Sequence, residues 1–330
     1  MSNITSVTLL GSGVLGSQIA WHSAFKGKTV VVYDVAEDAL ERCRAAHEQY
    51  ASIYESTLEA SPSDLAETRA RLSFTSDLAS AVASADLVIE AVPEIPDVKT
   101  AVYRSMASLL PEHTIVATNT STLLPSTFAE ATGRPSQFCA LHFGNGIWAM
   151  NFAEIMAHAG TSHDTLLQIT EYAIEIGMMP IPVRKEQNGY VGNSWFVPLL
   201  NAAQSLVTNG VATYEDVDRS YMKAGASAGP MAMFDQVGMK TAHDVLTYWG
   251  EVNDDDQMRR NADYVKENFL DKGLLGAAVG QGYYSWPTPS FMAPDFLDVP
   301  DISKAPEIAS LLKPNNNTSV QTSTQNSETS

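Results

Sequence analysis

The run V-T-L-L-G-S-G-V-L-G, from Val7 to Gly16, constrains this chain more than any other stretch. Its β-branched and leucine residues read as a buried strand, and Gly11, Gly13 and Gly16 form G-x-G-x-x-G at the start of a helical pattern. A second strand, T-V-V-V-Y-D, ends in Asp34, 23 positions beyond Gly11. Strand, glycine turn, helix and a second strand closed by a carboxylate make up the dinucleotide fingerprint. The glycines allow a tight turn and close backbone approach to a pyrophosphate, the helix start offers amide donors, and the carboxylate takes ribose hydroxyls. Gly11, Gly13, Val14, Leu15, Gly16 and Asp34 are therefore the expected cofactor-binding residues. Asp34 would repel a 2′-phosphate and no Lys or Arg follows it closely, so the sequence favours NAD over NADP.

The rest of the first half repeats the alternation. A helical excursion over 37–71, in two pieces separated by E-A-S-P-S-D, is followed by short apolar runs: L-S-F-T-S-D-L, A-D-L-V-I-E-A-V-P-E, T-I-V-A-T-N-T-S, Q-F-C-A-L-H-F-G-N, F-A-E-I-M-A and M-M-P-I-P-V. Asp64 reads as an N-cap of the second helical piece. Strands alternating with helices predict an α/β, Rossmann-type, doubly wound parallel sheet. Beyond N-G-Y-V-G-N the pattern turns helical with hardly any strand signal, which predicts an all-α C-terminal domain. The expected division is 1–187 for the NAD-binding domain, 188–312 for a helical substrate and dimerisation domain, and 313–330 for a polar, low-complexity, disordered tail.

Composition excludes several classes. The 330 residues are 45% hydrophobic, enough for two cores, but hold no run of about 18 apolar residues that would predict a membrane span. The N-terminus lacks a basic n-region, and two cysteines, Cys43 and Cys139, are too few for a disulfide framework; a cytoplasmic protein is expected. A net charge of −18, from 38 acids and 20 bases, argues against nucleic acid and anionic membrane as partners. There is no zinc-like Cys/His spacing and no Walker-type lysine loop, so no metal is expected.

A dehydrogenase acting on an alcohol needs a base for the hydroxyl proton, and histidine is the usual choice. Of seven histidines, only His142 ends an apolar strand, F-C-A-L-H, where ligands gather in open α/β sheets. Glu154, in the apolar run F-A-E-I-M, needs a partner and could orient that imidazole. The residues alone equally allow a histidine satisfied by backbone at a strand end. N-T-S-T from Asn119 can likewise make a turn or line a site.

G-S-G-V-L-G with Asp34, E-A-V-P-E from Glu90 to Glu94, N-T-S-T, H-F-G-N, Glu154, N-G-Y-V-G-N, G-P-M near Gly229 and G-Q-G-Y-Y, in this order over residues 1 to about 286, together resemble the L-3-hydroxyacyl-CoA dehydrogenase family. The spacings of 21 from Ser121 to His142 and 12 from His142 to Glu154 also resemble that family's. The resemblance implies an NAD-dependent oxidation of a 3-hydroxyacyl-CoA, or its reverse. It makes His142 the general base, Glu154 its carboxylate partner, and Ser121 and Asn193 the groups that hold the substrate's 3-oxygen. Glu94, Lys99, Asn119 and Asn145 fall where the family contacts the NAD ribose and nicotinamide. A homodimer through the helical domain is implied as well, consistent with the apolar runs W-F-V-P-L-L, M-A-M-F and V-L-T-Y-W-G, which also suit an intramolecular core.

The chain departs from the family pattern in places. It reads H-F-G-N-G where the family often reads H-F-F-N-P, and Ser194 stands where an arginine is usual. The second half of the 37–71 excursion offers only Arg69 and Arg71, and no lysine precedes G-Q-G-Y-Y. These losses weaken the handle for CoA and leave an alternative substrate: a free hydroxy acid or sugar acid, as in the gulonate-dehydrogenase-like relatives. A non-catalytic NAD-binding or structural protein is the alternative of another class.

Overall fold

The computed structural model describes residues 2–312. The tail expected over 313–330 lies outside the described residues. The chain divides into two compact units, Met1–Val197 and the residues from Pro198 on.

The first unit runs β1 (Ser6–Leu10), α1 (Val14–Phe25), β2 (Thr29–Tyr33), α2 (Glu37–Leu58), α3 (Pro62–Ala70), β3 (Leu72–Thr75), α4 (Leu78–Val82), β4 (Leu87–Glu90), α5 (Pro96–Met106), β5 (Ile115–Thr118), β6 (Phe138–Phe143), β7 (Phe152–Met156), α6 (His163–Glu175) and β8 (Met179–Val183). The strands form one sheet in the order β3-β2-β1-β4-β5-β6-β7-β8. Its central strands are apolar throughout because helices cover both faces. The period of two sorts their side chains: Val7, Leu9, Ile89, Ala117, Cys139 and Leu141 join one core, and Leu10, Val88, Val116 and Phe138 the other. α1 is buried on nearly every side, from Gly16 to Ala24. α2 instead buries one stripe, Leu40, Cys43, His47, Tyr50, Ala51 and Tyr54, at helical spacing.

The expected Rossmann-type doubly wound sheet is present with one local reversal, and one capping expectation needs correction. The sheet is parallel except at one pair: β7 runs antiparallel to β6, and β8 returns parallel to β7. The link from Phe143 to Phe152 carries no helix, and a parallel return needs a crossover of about a dozen residues or more, usually helical. The cap of α3 is Ser61 rather than Asp64. Ser61 accepts the Asp64 amide while the Asp64 carboxylate takes the Ser61 amide, a reciprocal capping box.

α7 (Gly192–Thr208) crosses the division between the units, which falls at Pro198. The second unit continues with α8 (Tyr214–Lys223), α9 (Pro230–Val237), α10 (Met239–Val252), α11 (Asp256–Asn268) and α12 (Ala305–Leu311). Two buried carboxylates staple it. Asp218 on α8 accepts the amides of Met231 and Ala232 at the start of α9, at 2.8 and 3.0 Å, and the Tyr284 hydroxyl at 2.8 Å. Asp235 on α9 accepts the amides of Tyr283 and Tyr284 and the Trp286 indole N–H, at 2.7, 2.8 and 2.9 Å. The G-P-M and G-Q-G-Y-Y runs thus serve this unit's own interior. Among the described residues no helix is long and apolar enough to cross a membrane.

Candidate active site

The glycine loop follows β1 at the point where the chain leaves the middle of the sheet, β2 lying on one side of β1 and β4 on the other. Such switch points are where open α/β sheets leave a crevice at the carboxyl ends of their strands. A Cβ on Gly16 would fall 2.1 Å from the Gly11 carbonyl oxygen, and one on Gly11, at φ +103°, would fall 2.5 Å from that of Ala91. Only glycine lets α1 approach so closely. A Cβ on Gly13 would meet nothing within 4 Å, so the space before the α1 N-terminus is open, as a phosphate cradle requires. A cleft of about 220 Å³ lies there, lined by Gly13, Val14, Leu15, Gly16, Ala91, Val92, Glu94, Lys99, Asn119 and Ser121. Asp34 stands at the end of β2 and braces the loop: its Oδ2 accepts the Ser12 amide at 2.9 Å and hydroxyl at 2.8 Å. Open glycine edge, helix start and strand-end carboxylate fit a dinucleotide.

Beneath the cleft lies a charged cluster. Lys99 is 1% exposed and directs its ammonium to Glu90 Oε1 at 2.7 Å, Glu94 Oε2 at 3.1 Å and the Val92 carbonyl at 3.3 Å. All three ammonium donors are thereby used. Glu90, wholly buried, also accepts the hydroxyls of Tyr103 and Thr118. Glu94 Oε1 gathers the Ser121 amide at 3.0 Å, the Thr122 amide at 3.1 Å and the hydroxyls of Thr120 and Thr122. Burial acts to raise the Glu94 carboxyl, but the Lys99 charge and these hydrogen bonds outweigh it and hold it below its ordinary value. Sequence reasoning gave Glu90 no role. The available signal was a carboxylate closing the apolar strand L-V-I-E, which must find a partner.

The antiparallel pair sets the geometry beside this cleft. His142 on β6 lies directly opposite Glu154 on β7, and its Nδ1 is 2.8 Å from Glu154 Oε2. Glu154 is 1% exposed. Its other oxygen accepts the amides of Val191 and Gly192, both at 2.8 Å, where α7 begins. Burial acts to raise its carboxyl; the bonds from His142 and these amides, with the charge of His142, prevail and lower it. A carboxylate so held can only accept, so Nδ1 carries the proton toward it. Nε2 then presents its lone pair to the Ser121 hydroxyl, 3.2 Å away. Asn193, in the first turn of α7 and in the first unit, places its amide nitrogen 3.5 Å from the Ser121 carbonyl, a long contact.

Asn119 and Asn145 make structural ties. The Asn119 side-chain oxygen accepts the Phe143 amide at 3.0 Å, locking the end of β5 to that of β6. The Asn145 side-chain oxygen accepts from Gln18 of α1 at 2.7 Å. The structure thus brings Ser121, His142, Glu154 and Asn193 into one connected group. Ser121, Asn119, Glu94 and Lys99 share the cleft with the glycine loop.

Comparison with known proteins identifies the family. Residues 6–187 match the family model described as 3-hydroxyacyl-CoA dehydrogenase, NAD binding domain, and residues 189–286 match that of the C-terminal domain. The mitochondrial hydroxyacyl-coenzyme A dehydrogenase of Homo sapiens is 30% identical over 290 residues, covering 86% of this chain and 91% of that protein. A probable 3-hydroxybutyryl-CoA dehydrogenase of Deinococcus radiodurans is 31% identical over 281 residues, 84% of this chain and 99% of its own. Among solved structures, a diketoreductase described as a substrate-directed dual catalyst of dicarbonyl compounds superposes with a TM-score of 0.81 at 44% identity, over 87% of this chain and 100% of its own. The (S)-3-hydroxybutyryl-CoA dehydrogenase PaaH1 of Ralstonia eutropha superposes with a TM-score of 0.74 at 26% identity, over 87% and 100%. With both family models matched in sequence order on a glycine-loop sheet and a helical unit, the chain belongs to the 3-hydroxyacyl-CoA dehydrogenase family and is an NAD-dependent oxidoreductase acting on CH–OH groups.

Proposed function

We propose that the chain interconverts an L-3-hydroxyacyl-CoA and its 3-ketoacyl-CoA, with His142 as the general base. The carrying observation is the imidazole held between Glu154 and Ser121, at 2.8 and 3.2 Å, with Nε2 free to accept a proton. NAD would supply the acceptor for a hydride leaving carbon 3 and, in the reverse direction, NADH its source. Gly11, Gly13, Val14, Leu15 and Gly16 would hold its phosphates and Asp34 its adenosine ribose, while Glu94, Lys99, Asn119 and Asn145 would be the residues nearest its other ribose and nicotinamide. In the oxidation His142 Nε2 receives the hydroxyl proton, and Glu154 stabilises the imidazolium through Nδ1. Ser121 and Asn193 donate to the 3-oxygen, most strongly in the direction that builds negative charge on it.

A second reading is favoured by one specific observation. Each of the four arginines in the 37–71 segment is already paired: Arg42 with Asp38 at 2.5 Å, Arg44 with Glu37 at 3.4 Å, Arg69 with Glu48 at 2.7 Å and Arg71 with Glu67 at 2.6 Å. A CoA phosphate would have to compete with these carboxylates for each of them. The likeness to a diketoreductase of dicarbonyl compounds adds such compounds to the free hydroxy acid or sugar acid as candidate substrates. NADH oxidation with acetoacetyl-CoA, run beside free acetoacetate and a panel of small dicarbonyl compounds and keto acids, separates the two. Turnover of the thioester alone supports the first reading, and turnover of free carbonyl compounds alone replaces it with the second. No turnover of either contradicts both. The helical unit, with Val211, Tyr248 and Val252 exposed, is the proposed contact in a homodimer. Sedimentation should find twice the 35.6 kDa chain mass, and a 35.6 kDa species would contradict the dimer.

A further inference from the structure

Tyr190 is an unassigned residue pressed against the dyad. It sits in the turn before α7 with φ +55°, directly after Gly189 at φ +76°. Two successive left-handed residues are uncommon, and the second carries an aromatic side chain, for which this conformation is a true outlier. The turn has a clear consequence. It aims the next two amides, of Val191 and Gly192, at the same oxygen of Glu154. The Ser194 hydroxyl closes the turn on the Tyr190 carbonyl.

The ring is 1% exposed and lies among Ala140, Met156, Leu124 and Val183. Its centroid is 4.9 Å from that of the His142 imidazole, with the planes 34° apart. An aromatic face at that range attracts a cation, so it favours the imidazolium that forms when the base takes a proton. The Tyr190 hydroxyl is buried and has no hydrogen-bond partner among the described residues. Polar atoms are rarely left so, and an unpaired one adds nothing to the hold on the ring.

We propose that Tyr190 is a positioning residue for the general base: its ring face fixes and stabilises the protonated His142, and its left-handed backbone presents the amides that hold Glu154. This rests on the reading of His142 as base. The ring carries the effect and the hydroxyl does not. The charged and titratable groups around the ring pair are Glu154 from β7, Glu90 at the end of β4, Glu94 from the turn after it, Cys139 from β6 and Tyr103 from α5, with Lys99 behind them paired to Glu90 and Glu94. They are common to all Tyr190 variants, so a comparison among variants isolates the ring.

The test measures kcat/KM against pH for Tyr190→Phe and Tyr190→Leu, using acetoacetyl-CoA or free acetoacetate, whichever turns over. NADH affinity by fluorescence and the melting temperature are recorded for each. Tyr190→Leu should lower kcat by about tenfold or more. It should also move the high-pH midpoint down by about half a unit, because reduction of the ketone needs His142 protonated and the imidazolium loses its aromatic face. NADH affinity should stay within about twofold. Tyr190→Phe should keep rate and midpoint and melt no lower than the parent, since it removes an unpaired buried hydroxyl. An unchanged profile in Tyr190→Leu, or a loss in Tyr190→Phe equal to that in Tyr190→Leu, overturns the proposal. If the leucine variant does not fold, Tyr190→Met, which also removes the ring but fills more of its space, takes its place with the same expected and overturning results. His142→Asn is assayed in parallel: full turnover there sinks the underlying mechanism, whatever Tyr190 does.

Discussion

Ser121 is gripped twice. Its hydroxyl faces His142 Nε2 at 3.2 Å, and its amide is held by Glu94 at 3.0 Å. Ser121→Ala keeps the backbone grip and removes only the donor to the substrate oxygen. It should therefore lower kcat by roughly 10²-fold, with NADH affinity unchanged. Steady-state kinetics with a fluorescence titration checks this, and a rate within twofold of the parent would leave the serine without its role. His142 and Glu154 were legible as candidates because one ended an apolar strand and the other sat inside one. Their pairing was legible only as a possibility strengthened by the family resemblance; the antiparallel register that makes them direct cross-strand neighbours was not. The Lys99–Glu90 ion pair was illegible too, since nothing in E-A-V-P-E-I-P-D-V-K says that the lysine turns inward. Tyr190 was hidden for the same reason: its left-handed backbone and its contact with His142 arise only in the folded turn.

At the scale of elements, the one antiparallel pair does the most. With β7 opposite β6, His142 and Glu154 become cross-strand neighbours on a single face, which a one-residue slip would separate. The alternating pattern announced strands and helices over the first unit, but it carries no information on that reversal. Burial beneath the sheet has a measurable consequence. His22 in α1 bonds the Tyr54 hydroxyl and the Ile176 carbonyl, and His47 in α2 bonds the Ser17 carbonyl. Burial lowers both from 6.5 to about 4. The unfolded chain thus takes up protons below its ordinary value of about 6.5 while the folded chain does not. Stability should be constant in these groups above pH 6.5 and fall between there and about 4, by on the order of 3 kcal/mol per histidine at most. Urea midpoints at pH 7.5 and 5 measure it, and His47→Gln should flatten the slope. An equal slope in that variant would contradict the assignment. In the second unit, Asp235→Ala strands the donors of Tyr283, Tyr284 and Trp286 and should cost several kcal/mol, read as a lower melting temperature. The sequence marked G-Q-G-Y-Y as a turn with packed aromatics. It could not mark Asp235 as its anchor, since that carboxylate lies far off in the chain.

For the whole molecule the net charge of −18 sets the background, and local donors must supply any affinity for a phosphate-bearing ligand. In the proposed reading the glycine loop and α1 amides would do so for the cofactor's phosphates, and Asp34 would stand where a 2′-phosphate arrives. NADPH should bind on the order of 10²-fold more weakly than NADH, and Asp34→Ala should narrow that gap. Equal affinities in the parent would contradict the ribose assignment. The central claim, that a carboxylate-held imidazole beside this cleft is the base, has a more direct test. Turnover and NADH affinity are measured for His142→Asn against the parent, on the substrate that the carbonyl panel identifies. The account predicts a kcat reduced by roughly 10²- to 10⁴-fold with NADH affinity preserved. A variant that turns over at the parent rate would contradict it.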